Sequence, residues 1–588
     1  MTASSLPQRA RAAEFVVIAA LALPLLVRAV AGFTSGAWLW GFDGLRYLPA
    51  WAWLVWASAV VAMALAMRAP WRGGRRALPA ATWIAAFAVT ALVLAFPDRV
   101  QFVGDFLLRQ GTSEEALPPA TLFPQALPLD VFLHVVLPTW AHASATVVSR
   151  IVDALEACAL TALGFAFARR ARLKGSEALA TAALTSGGGW LALFTGYSKA
   201  FTEMSLLVLA GAVFGVDALR GSRKGFLYVC ATVAAGFALH RSAAGLLPAL
   251  GFVTWFALRE PATAPGKSKG KKAKPSLVPA WLPLLLPLVL LATALPKMIS
   301  SATKLDTAHF AAKGEGPLAV ARDLVSPLHL LDLFNLMFFL VPLALLVLVP
   351  APREARRGPW SRREWIYFLV LGAPFWLIAL VLRPAQGIPR DFDVFAPAGV
   401  ALAVVVAARM ARVWHVAPGV GRYATAIVAG TLAPLLCVLI LQADLARGLV
   451  RVNALADGPP LRSESERARW REYLGARYHR ARRYREAVAE FEQAAALAPS
   501  PNILAAWGVA ARWAGDRASE ERAFTILLER APPDRIAVRT AALTGLARIA
   551  YERGERARAD SLVTRALALD PQSEDARALA QRIATGEP

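Results

Sequence analysis

Residues 383–407 read RPAQGIPRDFDVFAPAGVALAVVVA. The first part is polar and punctuated by Pro384, Gly387 and Pro389. The second is an apolar run that continues to Arg409. Two carboxylates, Asp391 and Asp393, stand at the seam, with Arg383 and Arg390 before them. Ionised groups beside hydrocarbon are costly, so their presence there asks for a reason. Two readings stay open: they cap the apolar helix that follows, or they belong to a site.

The same pattern, a polar seam leading into an apolar run, recurs along the whole chain. Of 588 residues, 57% are hydrophobic and only 18% charged, and the mean hydropathy is +0.47. A soluble chain carries nearer 25% charged residues. Thirteen apolar stretches approach the roughly 20 residues that cross a bilayer. They lie near 14–33, 47–67, 78–96, 146–168, 177–196, 201–219, 225–240, 242–258, 279–299, 331–350, 365–382, 394–411 and 422–443. The expected fold is all-α: a polytopic transmembrane helix bundle of about thirteen spans over residues 1–443, a linker at 444–465, and a helical repeat domain at 466–588.

The net charge of +23 lies in short basic clusters between apolar stretches. They are Arg9/Arg11, Arg68/Arg72/Arg75/Arg76, Arg169/Arg170/Arg172/Lys174, Arg220/Arg223/Lys224, the run 267–274, Arg353/Arg356/Arg357/Arg362/Arg363, and Arg409/Arg412/Arg422. They fall on alternate loops, which is the charge bias of cytoplasmic loops. That distribution argues against a nucleic-acid partner. The other loops hold Asp98, Asp105, Asp130, Glu203, Asp306, Glu315, Asp323, Asp391 and Asp393, and face outward in this topology. Arg28 spoils the signal-peptidase-like Ala29-Val30-Ala31, so the first span reads as a signal anchor with a cytoplasmic N-terminus. Cys158, Cys230 and Cys437 are scattered in apolar runs and give no disulfide framework or metal spacing.

The tail carries a tetratricopeptide-like pattern: Leu474, Gly475, Tyr478, Ala487, Phe491, Ala494 and Pro499, then Gly508, Phe524 and Pro532, then Ala547, Gly554, Ala559, Ala566 and Pro571. Small residues at those places let paired helices approach, and about three repeats make a stable stack. An odd number of spans puts this tail outside. The stretch 467–485 is strongly basic and reads as a solvated face, or as a groove for an acidic partner.

Chemistry is sought in the outward loops. Gly104-Asp105 sits among apolar residues, with Arg109 one helical turn on. Asp130 and His134 are four apart and share a helix face; Asp130 also reads as a helix cap. In FTGYSKAFTEM, Tyr197, Lys199 and Glu203 interrupt two apolar spans. Lys199 and Glu203 pair with each other, or Tyr197 and Glu203 line a polar pocket. His240-Arg241 is a short polar turn or an anion site, and Lys297, Arg383 and Arg390 are further cations on that side. Gly187, Gly188 and Gly189 lie inside an apolar span and read as a helix break. No glycine-rich phosphate loop or HExxH occurs.

An Asp in a long outward loop (FVGDFLLR), a broken helix (GYSKAFTEM), a dozen or so spans and an outside C-terminal domain together resemble the GT-C membrane glycosyltransferases. The layout with a tetratricopeptide tail resembles transmembrane O-mannosyltransferases. The chain differs from the family in placing its first long loop after the third span, and in having one acid there rather than two. The resemblance implies sugar transfer from a polyprenyl-phosphate donor to a protein or glycan acceptor at the extracytoplasmic face of a bacterial inner membrane. Asp105 would be the catalytic base. Arg241 and Arg390 would meet the phosphate. Asp391 and Asp393 would orient the acceptor or hold a divalent metal, whose use varies within the family. Arg109, Asp130, His134, Tyr197, Lys199, Glu203 and His240 complete the candidate substrate-binding set, and the tail would bind the acceptor or a protein partner. Three rival readings are a non-catalytic membrane scaffold for envelope assembly, a polymer ligase of the O-antigen type, and a transporter.

Overall fold

The computed structural model describes residues 5–66, 77–107, 125–259, 279–304, 309–310, 315–351 and 358–586. Arg109, Arg68, Arg72, Arg75, Arg76, the run 267–274, Asp306, Arg353, Arg356 and Arg357 lie outside them. The described residues are mostly helical, with no strand among them. They divide into two compact units, Met1–Arg451 and Val452–Pro588. The expected linker at 444–465 instead contains helix Leu445–Asp457, within which the two units divide.

Among the described residues of the first unit, nine helices are long and apolar enough to cross a membrane, or up to eleven if each of two bent pairs is one span. The sequence reading of thirteen counted more, for a physical reason. The stretches at 47–67 and 225–240 form helices Ala50–Ala66 and Arg223–Leu239, each 17 residues. At 1.5 Å per residue Arg223–Leu239 is about 26 Å long, short of the ~30 Å hydrocarbon core, while Ala50–Ala66 adjoins residues outside the described ones. The stretch at 177–196 is broken, and a second break precedes the stretch at 331–350. Gly175–Ser186 and Gly189–Thr195 meet at 68°, and Pro317–Leu324 meets Pro327–Leu340 at 51°.

The first break follows from Gly187-Gly188-Gly189. A Cβ on Gly188 would lie 2.3 Å from the Leu340 carbonyl oxygen, and one on Gly189 would lie 2.3 Å from that of Phe339. Only glycine lets this turn press against the backbone of helix Pro327–Leu340. The second half-helix ends at Gly196, whose φ of +119° turns the chain sharply before helix Phe201–Leu219. Arg28 is buried inside the bundle, donating to the carbonyls of Gly41 at 3.2 Å and Phe338 at 3.1 Å, as a cation among apolar helices must.

The ends of the helices sort by chemistry. At one end, Arg170 donates to Asp217 at 2.8 Å, Arg220 to Glu364 at 2.6 Å and to the Arg170 carbonyl at 3.0 Å. These basic clusters therefore share a face, though they bring Asp217 and Glu364 with them. At the other end, loops remote in sequence are stitched by backbone bonds. Asp98 donates to Thr195, Arg99 to Gln442, and Gly104 to Arg390 at 2.9 Å.

The second unit consists of helical hairpins. Glu464–Arg480 pairs with Tyr484–Leu497, Pro501–Ala514 with Arg517–Arg530, and Ile536–Glu552 with Arg556–Leu569; Glu574–Thr585 follows. Ser463 caps its helix with Glu466 in reciprocal hydrogen bonds, and Asp516 caps the next but two. Phe524 fills the space beside Gly508 and Gly545, where a Cβ would come within 2.6 Å of its ring. The basic stretch 467–485 is not simply a solvated face. Arg471 is buried and held by Asp457 and by Glu490 at 2.7 Å, while Arg469 and Arg483 pair with Glu472 and Glu486.

Candidate functional site

The site is built where three segments meet at the end of the bundle opposite the basic clusters. Gly104 adopts φ +49°, and a Cβ there would lie 2.7 Å from the Tyr197 hydroxyl and 3.0 Å from Asp393 Oδ2. Glycine thus lets the loop carrying Asp105 close over the broken helix and the seam at 383–407. Asp105 Oδ2 lies 3.2 Å from Lys199 Nζ, and Asp105 Oδ1 accepts from Gln386 Nε2 at 3.1 Å. Lys199 Nζ is also 3.5 Å from Asp393 Oδ2, which accepts the Tyr197 hydroxyl. Arg390 Nη2 reaches back to the Gly104 carbonyl at 3.4 Å. Asp105, Tyr197, Lys199, Arg390, Asp391 and Asp393 are thereby one constellation.

The capping reading of the seam fails in the structure. Asp391 precedes the turn Phe392–Phe395 without a side-chain cap bond, and the helix Ala396–Val416 starts after Phe395. Asp391 Oδ2 accepts the Gln386 backbone N–H at 3.3 Å instead. Both acids are buried, Asp393 at 0% exposure, and Asp393 Oδ1 has no hydrogen-bond partner. Burial pushes the Asp391 carboxyl up to about 8, with the neighbouring Asp393 charge adding to it and Lys199 opposing it. At neutral pH Asp391 is therefore mostly protonated. Asp105 and Asp393 both face Lys199, and Arg390 lies beside them at the Gly104 carbonyl.

The other cations divide. His240 Nδ1 accepts the Ser242 N–H at 3.2 Å and so caps the turn Arg241–Leu246; the polar-turn reading holds for its ring. That ring packs on Phe201 at 4.8 Å between centroids, and Lys199 Nζ lies 5.3 Å from the Phe201 ring centre on its own account. Arg241 stays at the His240 side, 3.5 Å from its Nε2. Lys297 donates to the Ala126 carbonyl, and Arg383 is held by Glu315 at 2.9 Å and Asp323 at 2.7 Å. These two are engaged elsewhere.

Glu203 does not pair with Lys199, despite the four-residue spacing. It turns the other way, with Oε1 2.9 Å from His134 Nε2 and Oε2 accepting from Thr202 at 2.8 Å. His134 sits on a π-helical turn, Phe132–Val136, with Asp130 Oδ1 3.8 Å from its Nε2. Asp130 is not the helix cap, since Leu127 holds that position. Asp153, wholly buried on helix Ala145–Arg170, accepts the Gly196 N–H at 2.8 Å and leaves Oδ1 without a partner. Asp130, His134, Asp153 and Glu203 thus form a second buried polar cluster behind the broken helix, joined to the first through Gly196-Tyr197.

Gln386 has no place in the sequence reading, and Asp153 enters it only beside Glu156, as a charged pair near the start of a span that would suit a transporter. Gln386 is a loop amide with no periodic signal. No three His, Cys, Asp or Glu among the described residues are placed to hold a metal together; at the first cluster Lys199 occupies the space between the carboxylates. The chain matches no protein-family model, no curated protein and no solved structure.

Proposed function

We propose that the chain is a multi-pass membrane glycosyltransferase that moves a sugar from a polyprenyl-phosphate donor to an acceptor hydroxyl at the extracytoplasmic face. The observation that carries this reading is the convergence of Asp105, Lys199, Arg390, Asp391 and Asp393 at one end of an apolar bundle. A lipid-borne donor would need its chemistry at that depth. An acceptor hydroxyl needs a base within hydrogen-bond reach, and Asp105 is the most accessible carboxylate of the set, with its side chain 33% exposed. The departing phosphate gains negative charge, which Arg390 and Arg241 would offset. Asp391 and Asp393 would orient the acceptor, Asp391 as a neutral acid.

In this reading the acidic end of the bundle faces outward, the basic end faces the cytoplasm, and the N-terminus is cytoplasmic. The second unit is read as a tetratricopeptide-type stack, because Gly475 faces Phe491 and Gly508 faces Phe524 where the repeat pattern places small and aromatic residues. It would receive the acceptor or a protein partner. The test supplies the purified protein in nanodiscs with a panel of labelled polyprenyl-phosphate sugars and follows label into acceptor or water. Turnover of at least one donor supports the reading; none from any donor, with intact protein, contradicts it.

A further inference from the structure

Lys199 stands between two carboxylates of unlike accessibility. Asp105 Oδ2 is 3.2 Å away on a side chain 33% exposed; Asp393 Oδ2 is 3.5 Å away on one that is 0% exposed. Both oxygens of Asp105 are engaged, Oδ2 by the ammonium and Oδ1 by the Gln386 amide. Two of its four or so lone-pair sites face donors, one of them a cation, which opposes its taking a proton from an acceptor hydroxyl. The half-exposed contact to Asp105 is weakened by solvent screening, whereas the contact to Asp393 is sheltered. Lys199 carries its charge on a flexible four-carbon stem, so it can change partners without moving the backbone. It is anchored just after the turn at Gly196 and before helix Phe201–Leu219, beside the Phe201 ring that also packs on His240. No other lysine forms a described ion pair with a carboxylate in the first unit.

We propose that Lys199 is an exchangeable latch: it holds Asp105 in the resting site and leaves it for the phosphate monoester or diester of an incoming lipid, so that the base is freed only when the donor is bound. A phosphate bears equal or greater negative charge than the single carboxylate it displaces and offers more acceptor oxygens, so the exchange runs toward the phosphate. Asp393 keeps Lys199 within reach in both states. The identity of the anion rests on the glycosyl-transfer reading; the exchange does not.

The test measures binding of farnesyl phosphate, and separately of inorganic phosphate, to the full-length protein in nanodiscs. Asp105→Asn removes the competitor for Lys199 and is expected to bind farnesyl phosphate about tenfold tighter than wild type. Lys199→Met is expected to bind about tenfold weaker, and the double variant no tighter than Lys199→Met, since the gain in Asp105→Asn acts through Lys199. Lys199→Arg, which keeps the charge, retains binding within a few fold. Tighter binding of farnesyl than of inorganic phosphate assigns the latch to a lipid-borne anion; equal binding assigns it to a soluble one. Unchanged or weaker binding in Asp105→Asn, or unchanged binding in Lys199→Met, overturns the latch. If Lys199→Met does not fold, wild type, Asp105→Asn and Lys199→Arg still decide. Sugar transfer is scored on the same samples, and its absence beside the expected binding pattern would remove the enzyme reading alone.

Discussion

At the residue scale the account rests on where protons and charges sit. Asp391 is the clearest case. Its carboxyl is raised from the usual range to about 8 by burial and by Asp393. An acid whose folded value lies above its unfolded one binds the proton more tightly when folded. Its stabilising effect is present in full below the unfolded value near 4 and is lost as pH rises toward about 8. Asp391→Asn cannot ionise, so it should remove that pH slope. The apparent melting temperature of Asp391→Asn minus that of wild type should be more positive at pH 8 than at pH 5. Equal differences at both values would show that Asp391 is ionised throughout. Asp391 and Asp393 were legible in the sequence because acids at the edge of an apolar run are rare and have few uses. Their partners were not. Spacing allows Lys199 to pair with Glu203, but the turn at Gly196 and the closing loop at Gly104 give each a partner from another segment. A four-residue spacing reports what can meet along one helix; it says nothing of what arrives from 94 or 196 residues away.

At the element scale glycines decide how closely helices and loops approach. In the first unit they break a span; in the second they seat an aromatic ring. Phe524 lies against both Gly508 and Gly545, so it joins the second hairpin to the third as well as closing its own. Phe524→Ala should cost about 3–5 kcal/mol, the range for a large buried ring whose cavity cannot collapse. Limited proteolysis of the full chain should then cut within 501–569 while leaving the first unit protected. Resistance equal to wild type would mean that the hairpins are held by other contacts. The hairpins were legible from the repeated small and aromatic positions. Span lengths were less so, since hydropathy marks where a chain is apolar but not where it bends. The bend at Gly187-Gly188 needs the backbone of Leu340 and Phe339 pressed against it, and that neighbour is some 150 residues away in sequence.

At the scale of the whole molecule, all-helical architecture and a set of membrane-length helices followed directly from composition and apolar periodicity. The gathering of acidic loops at one end of the bundle was also anticipated, because basic clusters alternate with them along the chain. What periodicity could not supply is depth. The acids divide into a cluster that reaches the surface at Asp105 and a wholly buried one around Glu203 and Asp153, separated by the broken helix. The enzyme account assigns the reaction to the first group, and within it to one carboxylate. The most direct measurement is therefore the transfer rate from an accepted polyprenyl-phosphate sugar for wild type, Asp105→Asn and Asp105→Glu in nanodiscs. The account predicts that Asp105→Asn falls by about 100-fold or more while still binding farnesyl phosphate, and that Asp105→Glu keeps a measurable part of the rate. An Asp105→Asn protein that transfers sugar at the wild-type rate would contradict it.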